Sequence, residues 1–580
     1  MSLTPIEAIS TSAYQAMLPE LTLLSGIILM IIATNLGDGR MRIPLTNIRV
    51  PVFFGGRRFE MTADPRIPGY ICVMTLALSA VLALMSQPNN LLHVYYTGQE
   101  GYLLTTSTGT PLLQIDAFSR LFELMFYAVL LIAAVSSLDT MHAIDSRKVS
   151  NDDSKQLVEN RRQIDFHLLI LLSAFGMSMV AMSVNLFMLF LGLELASLAI
   201  YVLVAFHKES KAGSEAGVKY FIVGATASAV GFYGMSLLYL WNGDLGVLSL
   251  QNAWRAMDGT EVLPIIALGL LLVGFGFKIS AVPFHFVAPD AYAGASSPVA
   301  GILATASKAM GFIALMRVLF LVTLPETDST AVWLILMGVL AGVSMTWGNL
   351  AALTSTNPKR MLAYSSVAHA GYMLAALTAV GAWRWGHFAL GTAVDAVLML
   401  TAAVIFHLFV LVTFKLGAFL VLGLIEIEEE SHDMKSLNGL AKRDPMIAFS
   451  MFIFMLALAG VPPLAGFMSK FLMASGIVQV TTSESGMELS KGLIPMLQSL
   501  HWTFWLALLI FLNSALSLFY YLRIGVLMFF EEPETKLPLP KAARLRGMIW
   551  VCTVGAIVFG ISGDWLFEFA KSAAEAFFNH

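Results

Sequence analysis

The sequence predicts an all-α polytopic membrane protein of about fourteen transmembrane helices. Three observations carry this. Hydrophobic residues make up 57% of the 580 residues and charged residues only 12%, with a mean hydropathy of +0.77. A soluble fold could not keep that much apolar surface from water. The apolar residues also come in runs of about 20, the length that crosses a bilayer as a helix. Finally, the ionisable residues inside those runs occur singly, as isolated groups in otherwise apolar sequence.

The runs fall at 17–36, 69–87, 118–139, 166–184, 186–206, 216–240, 263–284, 297–321, 331–353, 360–381, 389–424, 446–478, 501–530 and 547–570. Those at 389–424 and 446–478 are too long for a straight crossing, which implies tilt, an interfacial end or an interruption. The polar segments 37–68 and 140–165 read as cytoplasmic surface loops. Alternation around Val50–Phe54, next to Gly55 and Gly56, suggests a short hairpin in the first. Two runs carry proline beyond their first turn: GFGFKISAVPFHFVAPDAY, with Pro283 and Pro289, and LALAGVPPLAGFMSKF, with Pro462 and Pro463. Proline removes a backbone donor and clashes one turn back. Broken backbone in lipid is tolerated only where protein or a polar cavity surrounds it. The two proline spans lie five helices apart, the seventh and twelfth, which fits two five-helix repeats. The chain then divides into an N-terminal three-helix segment (1–165), a first repeat (166–321), a second repeat (331–530) and a C-terminal helix (531–580).

Lysine and arginine set the orientation. With the N-terminus outside, the inner loops hold Arg40, Arg42, Arg49, Arg57, Arg58 and Arg66. They also hold Arg147, Lys148, Lys155, Arg161 and Arg162, then Lys208, Lys211, Lys359 and Arg360. The last inner loops add Lys435, Lys442, Arg443, Lys536, Lys541, Arg544 and Arg546. The outer segments hold only Arg255, Arg384, Lys491 and Lys571, with Arg120 and Arg317 as exceptions near outer helix ends. Both termini are therefore expected outside. The first apolar run starts near Met17, behind Glu7 and without a basic segment, so no cleavable signal is expected. The cysteines are Cys72 and Cys552 alone, which excludes a disulfide framework, a cysteine zinc site and an iron–sulfur cluster in this chain. Neither a dinucleotide fingerprint nor a P-loop occurs.

The informative residues are the ionisable ones inside apolar runs, each costing about 2.5–3.5 kcal/mol at a helix centre on insertion scales. They are Glu194 in FMLFLGLELASLAIYVL, Lys278 in LLVGFGFKISAV, Lys308 in GILATASKAMGFIAL, His369 in MLAYSSVAHAGYML, Lys470 two turns past the double proline, and Lys219 opening KYFIVGATASAV. Each has a plainer reading. Lys219 lies four residues after Glu215 and could form an ordinary helix-surface pair. The other lysines could snorkel to headgroups. His369 could be a neutral core residue bonded to Ser365 or Ser366. Glu194 could be protonated and structural. His407 and Lys415 could line the same path or face a partner subunit. As a group they hold the parts of a proton relay. A lysine buried in low dielectric exchanges its proton near neutral pH, and a movable carboxylate beside it switches it between holding and releasing.

FKISAVPFHFVAPDAYAGASSPVAGILATASK, NPKRMLAYSSVAHAGYML and LAGVPPLAGFMSKF resemble the antiporter-like subunits of respiratory complex I and of multisubunit cation/proton antiporters. PELTLL and LNSALSLFYYLRIGVLMFF look most like the subunit N type of NADH-quinone oxidoreductase. The resemblance covers roughly residues 17–530. It implies fourteen transmembrane helices in two inverted five-helix repeats, with helices 7 and 12 broken. It also implies proton-relay roles: Glu194 and Lys219 modulating one another, Lys278 in the first broken helix, Lys308 linking two half-channels, Lys359 and His369 in the second half, and Lys470 near the output. The lysine at 470, where a neighbouring subunit type has glutamate, favours subunit N. The implied function is proton translocation driven by electron transfer elsewhere, as part of an oxidoreductase taking electrons from NADH, ferredoxin or another carrier that binds elsewhere. The alternative is a subunit of a multisubunit cation/proton antiporter. No cofactor is expected in this chain; iron–sulfur clusters and quinone are expected in partner subunits. The expected partners are other membrane subunits, the lipid bilayer and protons, with no nucleic acid, in the inner membrane of a prokaryote. The segments 37–68 and 140–165 are longer than the resemblance leads one to expect.

Overall fold

The computed structural model describes residues 15–42, 49–53, 66–86, 102–105, 111–145, 152–207, 210–257, 261–323, 332–382, 392–428, 433–485, 502–534 and 537–578. The chain begins with α1 (Leu18–Asn35), the paired strands β1 (Leu36–Arg42) and β2 (Arg49–Phe53), α2 (Ile67–Met85), the strands β3 (Tyr102–Thr105) and β4 (Pro111–Gln114), and α3 (Ala117–Asp145). Then come α4 (Asp152–Met182), α5 (Leu186–Val204), α6 (Lys211–Asn242), the short α7 (Val247–Ala256), α8 (Val262–Ile279), α9 (Ala288–Gly294), α10 (Ser297–Ala304) and α11 (Ala306–Met316). The second half holds α12 (Val332–Thr354), α13 (Pro358–Ala382), α14 (Thr392–Leu411), α15 (Gly417–Glu428), α16 (Leu440–Arg443), α17 (Pro445–Ala459), α18 (Ala465–Ser485), α19 (Phe504–Phe530), α20 (Ala543–Ile561) and α21 (Asp564–Phe578).

Among the described residues, eleven helical spans are long and apolar enough to cross a membrane, and three shorter apolar helices accompany them. All fourteen expected runs fall on helices. α13 is not among the eleven. It carries Lys359, Arg360, Ser365, Ser366 and His369, and almost all of it is enclosed by protein. A helix that meets protein on every side can carry polar groups that lipid would reject. Helices at the perimeter do the opposite: Met74, Leu240 and Phe519 are more than half exposed, as lipid-facing side chains of a span should be.

Both proline spans are interrupted. α8 stops at Ser280, whose φ of 58 lies in the left-handed region, and the helix resumes at Ala288. α17 stops at Gly460, with φ 84, and α18 starts at Ala465. Glycine adopts that conformation without penalty; serine does not. Two further interruptions carry no proline in the break. Thr305, with φ −123 and ψ −82, separates α10 from α11 within the span expected as continuous from 297 to 321. A π turn at Val412–Leu416 joins α14 to α15, which resolves the excess length of 389–424 as an interruption.

Close helix pairs meet at glycine in each half. A Cβ on Gly192 of α5 would lie 2.8 Å from the Gly176 carbonyl of α4. One on Gly371 of α13 would lie 2.5 Å from the Met345 amide of α12. Small residues let membrane helices approach in this way.

Three expectations change, and one element is new. The segment 140–165 is largely helical, because α3 runs on to Asp145 and α4 begins at Asp152; only 146–151 lies outside the described residues. The hairpin expected around Val50–Phe54 takes the form of Arg49–Phe53 paired back onto Leu36–Arg42; Phe54, Gly55 and Gly56 lie outside the described residues. A second hairpin, β3 with β4, forms in the outer segment before α3. The last run, 547–570, is two helices: α20 ends at Ile561, and α21 packs back on α3 and α14 through Phe577 against Phe118, 4.9 Å between ring centroids, and Phe567 against Phe406, 5.9 Å. Of the basic residues that set the orientation, Arg57, Arg58, Arg147, Lys148, Lys208, Arg384, Lys491 and Lys536 lie outside the described residues.

Candidate functional site

The first polar cluster forms where α5, α6 and the end of α8 meet. Glu194 sits midway along α5, and its Oε1 accepts a 2.5 Å hydrogen bond from Ser228 of α6. The same oxygen lies 3.9 Å from Lys278 Nζ. Lys278 sits two residues before the left-handed Ser280. Its ammonium donates to Ser197 Oγ and, at 3.0 Å, to Tyr201 OH, both one to two turns along α5 from Glu194. The Tyr201 ring also faces it at 5.2 Å. This lysine is buried and does not snorkel.

Lys219 is not part of that cluster. It pairs with Glu215 at 2.5 Å and with Asp290 of α9 at 3.0 Å, and its side chain is 45% exposed. The expected pairing of Glu194 with Lys219 is therefore corrected: the ion-pair partner of Glu194 is Lys278. The geometry explains why. Glu194 meets α6 at Ser228, nine residues or about 13 Å along the helix from Lys219, beyond the reach of a lysine side chain. Asp290 also accepts from Arg360 of α13, 2.7 Å, so it joins the two halves of the chain. These groups line a cavity of about 750 Å³ with Tyr364, Asn357 and Asp433. Lys359 lies deeper. It pairs with Glu426 of α15 and donates to the Ala295 carbonyl, 2.8 Å, while Glu426 accepts from Ser297 Oγ, 2.8 Å.

Lys308 follows the Thr305 break and is enclosed in the centre of the molecule. Its Nζ donates to the Ser366 carbonyl of α13 at 2.5 Å. Its link to Lys278 runs through Gly311, one turn further along α11: a Cβ there would lie 2.9 Å from Lys278 Cβ. Only glycine lets the end of α8 sit so close. One turn beyond Ser366 is His369. It does not bond Ser365 or Ser366 through its ring. Its Nδ1 shares a 3.0 Å hydrogen bond with His407 Nε2, the rings stacked at 5.1 Å, and Tyr521 OH lies 3.4 Å from its Nε2. His407 Nδ1 reaches Ser469 Oγ, 2.8 Å. Next to Ser469 is Lys470, whose Nζ donates to the carbonyls of Leu458 (2.8 Å) and Ala459 (3.2 Å) and to Ser514 Oγ (3.1 Å). Those two carbonyls end α17, where the break at Gly460 removes their helical partners.

Of the seven expected residues, the half-buried Glu194 and the buried Lys278, Lys308, His369 and Lys470 thus fall along one row, while Lys219 and Lys359 stand toward the end with the expected inner loops. His407 and Lys415 are both fully enclosed by this chain, so neither faces a partner. Sequence reading missed Glu426 and the acidic side of a second buried cluster. There Arg120 Nη1 donates to Glu20, 3.0 Å, and to Glu123, all three enclosed. Glu123 and Arg120 stand three apart in AFSRLFELMF, a spacing that marks a same-face ion pair and could have revealed it. Arg317 is buried as well, donating to the Ala181 carbonyl at 2.5 Å over the Phe118 ring.

Residues 183–486, which contain every group of the row, match the family described as NADH:quinone oxidoreductase/Mrp antiporter, transmembrane. The chain belongs to this family. Among its relatives, F(420)H(2) dehydrogenase subunit N of Methanosarcina mazei is 36% identical over 491 residues, covering 82% of this chain and 87% of that one. NADH-quinone oxidoreductase subunit N of Desulfitobacterium hafniense is 35% identical over 467 residues, 80% of this chain and 85% of that one. Among solved structures, a chain of respiratory complex I from Thermus thermophilus with bound aureothin superposes with a TM-score of 0.65 at 26% identity, covering 95% of this chain and 98% of that one. The chain is accordingly a multi-pass membrane protein of the antiporter-like type, and its relatives are subunits of larger oxidoreductase complexes.

Proposed function

We infer that this chain is the proton-translocating, N-type membrane subunit of a complex I-type quinone oxidoreductase. The observation that carries this is the row itself: Glu194, Lys278, Lys308, His369, His407 and Lys470 run through both halves of the molecule, each with a polar partner. A scaffold would fill such positions with apolar side chains at less cost.

In this reading the cavity at Asp290 and Lys219 admits protons from the cytoplasmic side, with Lys359 beside it. Lys278 holds a proton while Glu194 is near and releases it when the carboxylate withdraws, since the attraction falls with distance. Lys308 passes it across the junction of the repeats to His369, and Lys470 delivers it to the outer side. Electron transfer in partner subunits, which hold the iron–sulfur clusters and quinone, drives the movement; this chain carries no redox group. The electron donor is NADH, ferredoxin or another carrier bound by a partner subunit, and the location is a prokaryotic inner membrane. Residues 1–165, 166–321, 331–530 and 531–580 serve as the N-terminal segment, the two repeats and the C-terminal segment.

The family also includes antiporter subunits, and purification separates the two readings. Isolated through a tag on this chain, the native assembly is expected to contain iron–sulfur subunits, to reduce quinone and to acidify vesicle lumens while doing so. A cluster-free assembly that exchanges sodium for protons would overturn the oxidoreductase reading in favour of a cation/proton antiporter.

A further inference from the structure

Glu426 stands outside the row, yet it forms an ion pair with Lys359 that is largely withdrawn from water, the two side chains being 17% and 5% exposed. Such a pair adds little stability by itself, because desolvation offsets the attraction. What the pair holds is more informative. Lys359 Nζ also donates to the Ala295 carbonyl, 2.8 Å. Glu426 Oε2 accepts from the Ser297 amide, 3.3 Å, and from Ser297 Oγ, 2.8 Å. Both members therefore grip the same short stretch, the start of α10. Gly423, one turn before Glu426, lets α15 close on that point: a Cβ there would lie 3.1 Å from Ser297 Cβ.

The helix held in this way is smooth. α10 reads SPVAGILA, Ser297 is its one polar side chain, and all of it is buried. Contacts between apolar side chains are non-directional, so they do not fix where a helix stands along its own axis; directional bonds do. Toward Lys308 those bonds stay within one stretch of chain, from Tyr292 OH to the Leu303 carbonyl and from Thr305 Oγ1 to the Gly301 carbonyl. At the other end the Lys359–Glu426 pair ties α10 to the second repeat.

That tie leads to the central lysine. α10 passes through Thr305 into α11, and Lys308 is the third residue of α11. Lys308 donates to the Ser366 carbonyl of α13, the helix that also carries Lys359. Positions 359 and 366 are two turns apart on one face of α13, about 10 Å along its axis. The same face of α13 thus holds the start of α10 at one level and Lys308 at the next.

We propose that Glu426 is a positioning residue of the relay: with Lys359 it fixes the start of α10 through Ser297, and so sets where Lys308 stands against α13. The proposal rests on the reading that the chain translocates protons.

The test uses the whole complex in proteoliposomes, with assembly checked by native gel and iron–sulfur content, and with translocation followed against pH. Glu426→Ala is expected to lower the rate at least about threefold, since small displacements of a reacting group have large effects. It is also expected to change the shape of the pH profile, because the proton-releasing group then stands in altered surroundings. A wild-type rate overturns the assignment. So does an equal fractional loss at every pH, which a merely structural contact would give. The double variant Lys359→Glu, Glu426→Lys restores an ion pair, but an ammonium cannot accept from Ser297. It is expected to stay impaired, and its recovery would overturn the grip on α10 in favour of the charge pair alone. If Glu426→Ala fails to assemble, Ser297→Ala decides, since it removes one hydroxyl and leaves the pair. A rate about twofold lower with an altered profile supports the proposal, and wild-type behaviour overturns it. Lys278→Met, measured in parallel, separates the two levels. If it translocates at the wild-type rate, the translocation reading itself fails. If it is impaired while Glu426→Ala is not, only the role of Glu426 is lost.

Discussion

Two lysines stand at two helix breaks, and they are held in opposite ways. Lys278 precedes its break and is surrounded by side chains: Ser197, Tyr201 and, at 3.9 Å, the Glu194 carboxylate. Lys470 follows its break and is held chiefly by the backbone, through the Leu458 and Ala459 carbonyls, with Ser514 beside them. The first site therefore answers to a full charge on a side chain that can change rotamer. The second answers to fixed dipoles at a helix end, and the side chains leading to it are His369, His407 and Ser469. The difference teaches that a five-helix repeat need not repeat its electrostatics. At its helix break one half sets a lysine beside a carboxylate, and the other sets a lysine on backbone carbonyls.

The largest expected effect falls on both lysines alike. Lys278→Met and Lys470→Met should each lower proton translocation by the assembled complex about tenfold or more, the scale of losing a positioned proton carrier. Vesicle acidification per quinone reduced is the readout. A wild-type rate in one of the two would break the comparison, since that half would then not conduct.

Charge control at the first site is next in size. Glu194→Ala leaves Lys278 with neutral partners only, a loss of about 1–2 kcal/mol once the partial exposure of Glu194 is allowed for, or about tenfold in rate. Glu194→Gln preserves a hydrogen bond with Ser228 and should lose as much. If the glutamine variant instead conducts normally, the carboxylate charge is not what gates Lys278.

Packing between the two sites comes third. Gly311→Leu would drive a side chain into Lys278 and should destabilise the complex by about 1–3 kcal/mol, visible as a lower melting temperature. Gly547→Ala, where a Cβ meets nothing within 4 Å, should change it by less than about 0.5 kcal/mol. Equal shifts would remove Gly311 as the contact that brings Lys278 beside α11.

Lys219→Met should have the smallest effect. Its partners are partly exposed and solvent screens the pairs, so translocation should fall less than Glu194→Ala makes it fall. A loss equal to that of Glu194→Ala would couple Lys219 to the gate despite the distance between them.

Much of this was legible in the chain. The place of each apolar run, the two proline breaks and the isolated charges at 194, 278, 308, 369 and 470 follow from hydropathy and from the cost of placing an ion in lipid. Both costs are local, so a linear reading detects them. The Thr305 break and the second turn of 547–570 were not legible, because neither carries a proline and each is set by what packs against it. Glu426 was missed because it stands at a helix end, where a charge looks ordinary until Lys359 and Ser297 close on it.

The sequence by itself determined the membrane class, the positions of the crossings and which residues had to be explained. Only the tertiary structure decided who pairs with whom. Lys219 is four residues from Glu215 in sequence, yet its place is also fixed by Asp290, 71 residues away. Glu194 finds Lys278 instead of Lys219 because α6 presents Ser228 to it and Gly311 admits the end of α8. Periodicity and hydropathy fix which residues are buried, but an ion pair forms over a few ångströms, and only the packing of helices distant in sequence sets distances on that scale.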